Sequence, residues 1–79
     1  MTIDSDDELQ RKALILTNKL IDQMGGTAKV GRLLNVSMCT VSRWRQRGIA
    51  VQYLFKFVDV ANRQHIDVSA EQLKPGLFN

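Results

Sequence analysis

Apolar residues recur at spacings of three and four through the first third of the chain, in the order Leu9, Ala13, Leu16, Leu20 and Met24. An α-helix turns about 100° per residue, so this spacing places them in one stripe along a helix. Ser5 followed by Glu8 forms a capping box, which predicts that the helix begins there, and the pair Gly25–Gly26 predicts its end. The stripe gives the predicted helix one apolar side.

Residues 27–47 predict two short helices joined by a tight turn. Thr27 can cap the first of them and Ser37 the second, which Gly48 stops. Asn35 lies between them and tolerates the left-handed backbone conformation that a sharp turn requires. The connection of about three residues is the length found in helix-turn-helix motifs.

A fourth helix is predicted over 51–64, and its sequence is apolar around most of the circumference. Its polar side chains crowd into an arc of about 60°; they are Gln52, Lys56, Asp59 and Arg63. The core-facing side is formed by Leu54, Phe57, Val58 and Ala61. Tyr53, Phe55 and Val60 lie outside this core-facing side. We therefore expect either the C-terminal tail or a second subunit to cover them. These three residues form a candidate surface for a dimer or another partner.

The end of the chain predicts a short closing helix. Ser69 with Gln72 repeats the capping-box pattern, and Pro75 ends the helical turn. Leu77 and Phe78 are expected to fold back onto the core. Together the elements predict an all-α protein, a small helix-turn-helix bundle of about four to five helices. We expect a single domain over residues 1–79, with the helix-turn-helix at about 27–47.

Composition narrows the class of function. A chain of 79 residues buries one compact core and leaves little room for a large active-site cleft. Cys39 and His65 are each the single representative of their residue type, too few for a disulfide or a tetrahedral zinc site. We therefore expect no metal, no cofactor and no enzymatic activity.

The N-terminus predicts neither secretion nor membrane insertion. It is acidic where a signal peptide is basic, with acids at Asp4, Asp6, Asp7 and Glu8. No apolar run approaches the roughly 20 residues that span a bilayer. We expect a soluble, cytoplasmic protein.

Charge is distributed unevenly along the chain. Between Asp22 and Asp59 there is no acidic residue. Basic residues occur throughout the same stretch, at Lys29, Arg32, Arg43, Arg45, Arg47 and Lys56. A polyanion is therefore expected to meet the middle of the chain.

The predicted third helix has two chemically different sides. Trp44 lies on the same side as Val41 and is expected to anchor the helix in the core. The opposite side, an arc of about 100°, carries Cys39, Ser42, Arg43 and Gln46. A slim helix with Arg and Gln outward and no carboxylate can enter the major groove and donate to guanine or adenine edges. Phosphates are expected near Lys29, Arg32, Arg45 and Arg47.

The segment 27–46 resembles the helix-turn-helix of phage Cro-type repressors. Apolar side chains stand where that motif buries them, at Val30, Leu34, Val36, Val41 and Trp44. Gly31 stands where the two helices need a very small residue, while Asn35 replaces the turn glycine. The stretch GGTAKVGRLLNVSMCTVSRWRQRGIAVQYLFKFVDVANRQHIDVSAEQLKPGLF is similar to the Cro-like, YdaS-type antitoxin group of short prophage regulators, although Ala50 stands where that group commonly has proline.

The resemblance implies roles by position. Its base-contacting sites fall on Met38, Cys39, Ser42 and Arg43, with Gln46 at the edge. Met38 and Cys39 would offer apolar contact to thymine methyl groups. The motif's phosphate contacts, made by side-chain or backbone donors at helix N-termini, fall on Thr27 and Ser37. Thr40 is assigned to the same phosphate-contacting set.

Two functions remain open from the sequence. The first is a sequence-specific transcriptional regulator, a Cro-like repressor that occupies operator DNA through the helix 38–47, as a dimer on an inverted repeat. The second is an antitoxin-like interaction module that binds a toxin or another protein through the apolar helix 51–64. The expected partners are therefore double-stranded DNA, a second copy of the chain, or a different protein.

Overall fold

The computed structural model describes the backbone of residues 3–75 and the side chains of residues 8–75. These residues form a small bundle of five helices, α1 (Ile3–Gln23), α2 (Thr27–Leu34), α3 (Met38–Arg47), α4 (Val51–Arg63) and α5 (Ala70–Leu73). No strand occurs in this part of the chain. The prediction of an all-α protein is confirmed. The expectation that Leu77 and Phe78 fold back concerns residues outside the described range.

α1 follows the predicted stripe over most of its length. Ala13, Leu20 and Met24 are buried, whereas Leu9 at the start of the stripe is 48% exposed. The periodicity marks a helical face, but that face is buried only where neighbouring helices α2, α3 and α5 cover it. The predicted start was also wrong, because α1 begins at Ile3 and already contains Ser5.

The connection between α2 and α3 is closed by backbone hydrogen bonds. Asn35 adopts the predicted left-handed conformation, with φ 59° and ψ 46°. The Val36 N–H then donates to the Gly31 carbonyl at 2.8 Å, which satisfies a carbonyl at the end of α2. Ser37 begins α3 as predicted, since its Oγ accepts from the Thr40 N–H at 3.2 Å. This turn fixes the direction in which α3 leaves α2.

The start of α2 differs from the prediction. Its N-cap is Gly26, and the Val30 N–H donates to the Gly26 carbonyl at 3.0 Å. Thr27 is therefore the first helical residue, and the predicted capping role of its hydroxyl is wrong. That hydroxyl is instead within reach of α3, as described below.

Gly31 allows α2 to contact the start of α3. A Cβ at this position would lie 2.9 Å from the Val36 carbonyl oxygen, closer than real Cβ contacts. The blocking atom belongs to the backbone of the turn, so no side-chain rotation can relieve the contact. The expectation of a very small residue here is confirmed in geometric terms.

Trp44 is part of the buried core and is only 2% exposed. Its ring packs against Tyr53 with centroids 5.5 Å apart and meets Phe57 edge-on at 6.2 Å. Aromatic pairs at such separations add to the stabilisation from burial alone. The surrounding buried side chains come from α1 to α5 and the α3–α4 connection, among them Val30, Leu34, Val41, Ile49, Leu54 and Leu73. Trp44 thereby joins α3 to α4, as its anchoring role predicted.

α4 and α5 complete the bundle. α4 ends at Arg63, and His65 beyond it has a left-handed φ of 65° while the Ile66 N–H donates to the Ala61 carbonyl at 3.0 Å. The Ser69 N–H donates to Oε1 of Gln72 at 2.8 Å, which confirms the predicted capping box of α5. Within the described residues, no helix combines the length and apolar character needed to cross a membrane.

Candidate nucleic-acid interface

The side of α3 that points away from the core is exposed and continuous. We call Cys39, Ser42, Arg43 and Gln46 the outer face of α3; all four are exposed, and together with Arg47 they line one shallow depression of about 330 Å³. The structure thus brings these predicted residues together. Met38 is 57% exposed at the start of the helix, but it is not part of this depression's described lining.

The outer face carries positive charge without a neighbouring acid. No Asp or Glu is among the described residues that line the depression. Arg43 makes no ion pair and no side-chain hydrogen bond within residues 8–75. Its guanidinium group therefore keeps its donors available for an external acceptor.

The opposite side of α3 is held by α1 as well as by the core. Nδ2 of Asn18 donates to the Arg45 carbonyl oxygen at 2.9 Å and to the Leu14 carbonyl oxygen at 2.9 Å. The Arg45 carbonyl is among the last four of α3, which have no partner within their own helix. Asn18 therefore caps the C-terminal end of α3 from a different helix. No pattern in the sequence predicted this contact, which joins residues 27 positions apart.

Arg45 is engaged by acidic and polar partners, unlike Arg43. Its Nη2 lies 2.9 Å from Oδ1 of Asp22, and its Nη1 lies 3.5 Å from the Thr27 hydroxyl. The Arg45 side chain is only 28% exposed. Two residues predicted to contact phosphate, Arg45 and Thr27, are therefore part of a contact between α1, α2 and α3. The only signal in the sequence was that Asp22 is the last acid before the acid-free stretch.

The other residues predicted to contact phosphate are of two kinds, cations without an ion pair and hydroxyls that hydrogen-bond to each other. Lys29, Arg32 and Arg47 are exposed and form no ion pair with any described residue. The hydroxyls of Ser37 and Thr40 lie 3.0 Å apart and form a hydrogen bond with each other. They remain close to the start of α3, where unpaired backbone N–H groups attract anions.

Lys56 is a further member of the basic stretch with an internal partner. Its Nζ donates to the Leu34 carbonyl at the C-terminal end of α2, at 3.1 Å. A cation at this end of a helix interacts favourably with the helix dipole. Lys56 therefore contributes to the contact between α4 and α2, and no pattern in the sequence predicted this bond.

The predicted partner surface on α4 is not one surface. Tyr53 and Val60 are partly buried against the core, whereas Phe55 is 61% exposed. Positions 53 and 60 lie on nearly the same side of a helix, and position 55 lies well over 90° away. Val51 lies four residues before Phe55, on the same side of the helix, and is also an exposed apolar residue at 53%.

Comparison of the chain with models of protein families, with curated proteins and with solved structures found no match. Among the described residues, no three His, Cys, Asp or Glu side chains form a group that could hold a metal ion.

Proposed function

We propose that this protein is a sequence-specific DNA-binding regulator of transcription that acts without catalysis. The observation that carries the proposal is the outer face of α3, which is exposed and free of described carboxylates while the opposite side is anchored by Val41 and Trp44. A helix held in this way can present side chains to base edges in the major groove of B-DNA.

The side chains of the outer face, together with the exposed Met38 at the start of α3, suit different base edges. Arg43 can donate two hydrogen bonds to O6 and N7 of guanine, and Gln46 can pair with N6 and N7 of adenine. Ser42 can donate to or accept from several bases, while Met38 and Cys39 supply apolar contact to the thymine methyl group. We therefore assign direct base recognition to these five residues.

Backbone contacts are assigned to the exposed cations next to the outer face. Lys29, Arg32 and Arg47 have no acidic partner among the described residues, so their charge is available to phosphates. The N-terminal end of α3, with Ser37 and Thr40, is assigned a further phosphate through its backbone N–H groups. Arg45 and Thr27 are assigned a smaller share because Arg45 already contacts both Thr27 and Asp22.

We further propose that the protein acts as a repressor by occupying operator DNA as a dimer. Two copies would bind an inverted repeat whose half-sites are about 34–36 Å apart, one turn of the duplex. Selection of bound sequences from a random DNA pool tests this arrangement directly. A palindromic consensus is the expected result, whereas a single asymmetric site would exclude paired subunits.

Arg43→Ala tests the assignment of the outer face. We expect it to reduce operator affinity by about 1–3 kcal/mol and to relax the preference at one base pair. Arg63→Ala is the matched control, because it removes an arginine that pairs with Asp59 on α4, away from the outer face. Quantitative binding to the consensus and to its single-base variants measures both effects. Unchanged affinity and preference in Arg43→Ala would show that the outer face does not contact bases.

The exposure of Val51 and Phe55 favours a second candidate, an antitoxin-like protein-interaction module. These two residues expose 53% and 61% of their surface on the same side of α4. A partner protein that buries them would gain hydrophobic stabilisation. The double variant Val51→Ser/Phe55→Ser should abolish binding to a co-expressed partner, measured by light scattering, and should leave DNA binding unchanged. A chain that dimerises through the same residues would instead become monomeric.

A further inference from the structure

A second basic depression lies beside the outer face of α3. It has a volume of about 340 Å³ and lies between α1, the end of α3 and the end of α5. Its floor includes the buried residues Ala13 and Leu73. Arg11, Arg47 and Lys74 line the same depression, each from a different part of the fold.

The three cations have no acidic partner in the described structure. None of the described lining residues is Asp or Glu, and none of the three cations makes an ion pair within residues 8–75. By contrast, Lys12, Arg45 and Arg63 each pair with an acid. Like charges gathered on an apolar floor repel one another unless an anion lies between them.

We propose that Arg11, Arg47 and Lys74 bind a phosphate-class oxyanion in this depression. Two guanidinium groups can each donate paired hydrogen bonds to an oxyanion, and the lysine adds a compact charge. The volume is at the lower end of the roughly 300–1,000 Å³ found for ligand pockets. A phosphate group therefore fits the site better than a large organic ligand does.

Two sources of phosphate share this chemistry. Arg47 lines both this depression and the one on the outer face of α3, so the two are adjacent. A DNA-backbone phosphate flanking the bound major groove is the first source, and this source rests on the proposed function. A free phosphate or phosphorylated small molecule is the second, and it does not depend on DNA binding.

Titration of the free protein with inorganic phosphate tests the site without DNA. Amide signals of Arg11, Arg47, Gly48 and Lys74 should shift and saturate in NMR spectra, while chloride at equal ionic strength should not reproduce the shifts. We expect Arg11→Gln or Lys74→Gln to weaken phosphate binding by about tenfold, through loss of one charged hydrogen-bond donor. Lys19→Gln is the matched control, because it removes an exposed charge of α1 that does not line the depression.

The salt dependence of DNA binding tests the first source. If a backbone phosphate occupies the site, Arg11→Gln and Lys74→Gln should weaken binding to all sequences alike. Each should also reduce the slope of log affinity against log salt by about 0.9. Lys19→Gln should retain the slope of the unchanged protein. Arg43→Ala, which alters base preference, reports separately on the proposed function.

The combined outcomes separate the two proposals. A reduced salt slope supports the DNA backbone as the source, with or without a response to free phosphate. A phosphate response with an unchanged slope, or with no DNA binding at all, supports a free phosphate ligand and leaves the site in place. The site would be overturned if phosphate caused no localised NMR shifts and if Arg11→Gln and Lys74→Gln had the same salt slope as Lys19→Gln.

Discussion

Two arginines of α3, two residues apart, have opposite environments. Arg43 lies on the outer face with no ion pair among the described residues, whereas Arg45 is held by Asp22 and Thr27. The same difference separates the two sides of the helix, since Val41 and Trp44 are buried while Cys39, Ser42 and Gln46 are exposed. Residue type alone therefore does not assign a role to a basic side chain. Its position around the helix, and the neighbours that this position gives it, decide whether it supports the fold or is available to a ligand.

Trp44→Ala should give the largest effect, because it removes the anchor of the inner side. Replacement of a buried aromatic residue typically costs about 3–5 kcal/mol. The free energy of unfolding of a domain of this size is about 4–12 kcal/mol, at 0.05–0.15 kcal/mol per residue. Urea unfolding should therefore show a severely destabilised or unfolded protein. Gln46→Ala on the outer face is the control and should stay within about 0.5 kcal/mol. Equal effects from the two changes would contradict the division of α3 into two sides.

Gly31→Ala should disturb the contact that orients α3 relative to α2. Its new Cβ would lie 2.9 Å from the Val36 carbonyl, so the turn has to move. Overpacking of this kind costs about 1–3 kcal/mol in unfolding free energy. Lys29→Ala, an exposed change on the same helix, serves as the control in denaturant unfolding. The expectation fails if Gly31→Ala is as stable as the unchanged chain.

Asn18→Ala should release the end of α3 from α1. It removes the donor to the Arg45 carbonyl and leaves that group without a described partner. The expected loss is about 1–2 kcal/mol, between a lost hydrogen bond and an unsatisfied buried group. Asn62→Ala is the matched control, because Asn62 is exposed on α4 and has no described side-chain hydrogen bond. Equal thermal stability of the two variants would show that the hydrogen bond from Asn18 to the Arg45 carbonyl does not stabilise the contact between α1 and α3.

Asp22→Asn should give the smallest change in stability and would convert Arg45 to an unpaired cation. The Asp22 side chain is 65% exposed, so the ion pair contributes only about 0.2–1 kcal/mol. DNA affinity should rise, since a negative charge beside α3 is lost and Arg45 becomes available to phosphate. Asp59→Asn, which breaks the Arg63 pair on α4, controls for the change in net charge. A larger gain in affinity from Asp59→Asn would argue that Asp22 has no specific effect on α3.

The sequence predicted the features that depend on neighbouring residues. Asn35 and Ser37 carry local conformational and capping preferences, and both behave as expected in the turn. The periodicity of α3 likewise separated Trp44 from Arg43, because it depends only on helical geometry. The all-α class followed from the same local signals.

Features that depend on distant contacts were missed or wrong. Asn18 and Lys56 bond to carbonyls of other helices, and no spacing in the sequence marks such partners. Leu9 continues an apolar stripe beyond the part of α1 that its neighbours cover. Tyr53 and Phe55 were grouped by their apolar character. In the structure Tyr53 packs against Trp44 and is partly buried, whereas Phe55 is 61% exposed.

Cys39 gives the protein a natural chemical probe at the surface where DNA is proposed to bind. It is the chain's single cysteine, and its thiol is exposed on the outer face of α3. The rate at which a thiol reagent modifies it therefore reports on one defined point of the molecule, with no competing sulfhydryl. Slower labelling in the presence of duplex would map contact at this helix in unaltered protein, before any residue is exchanged.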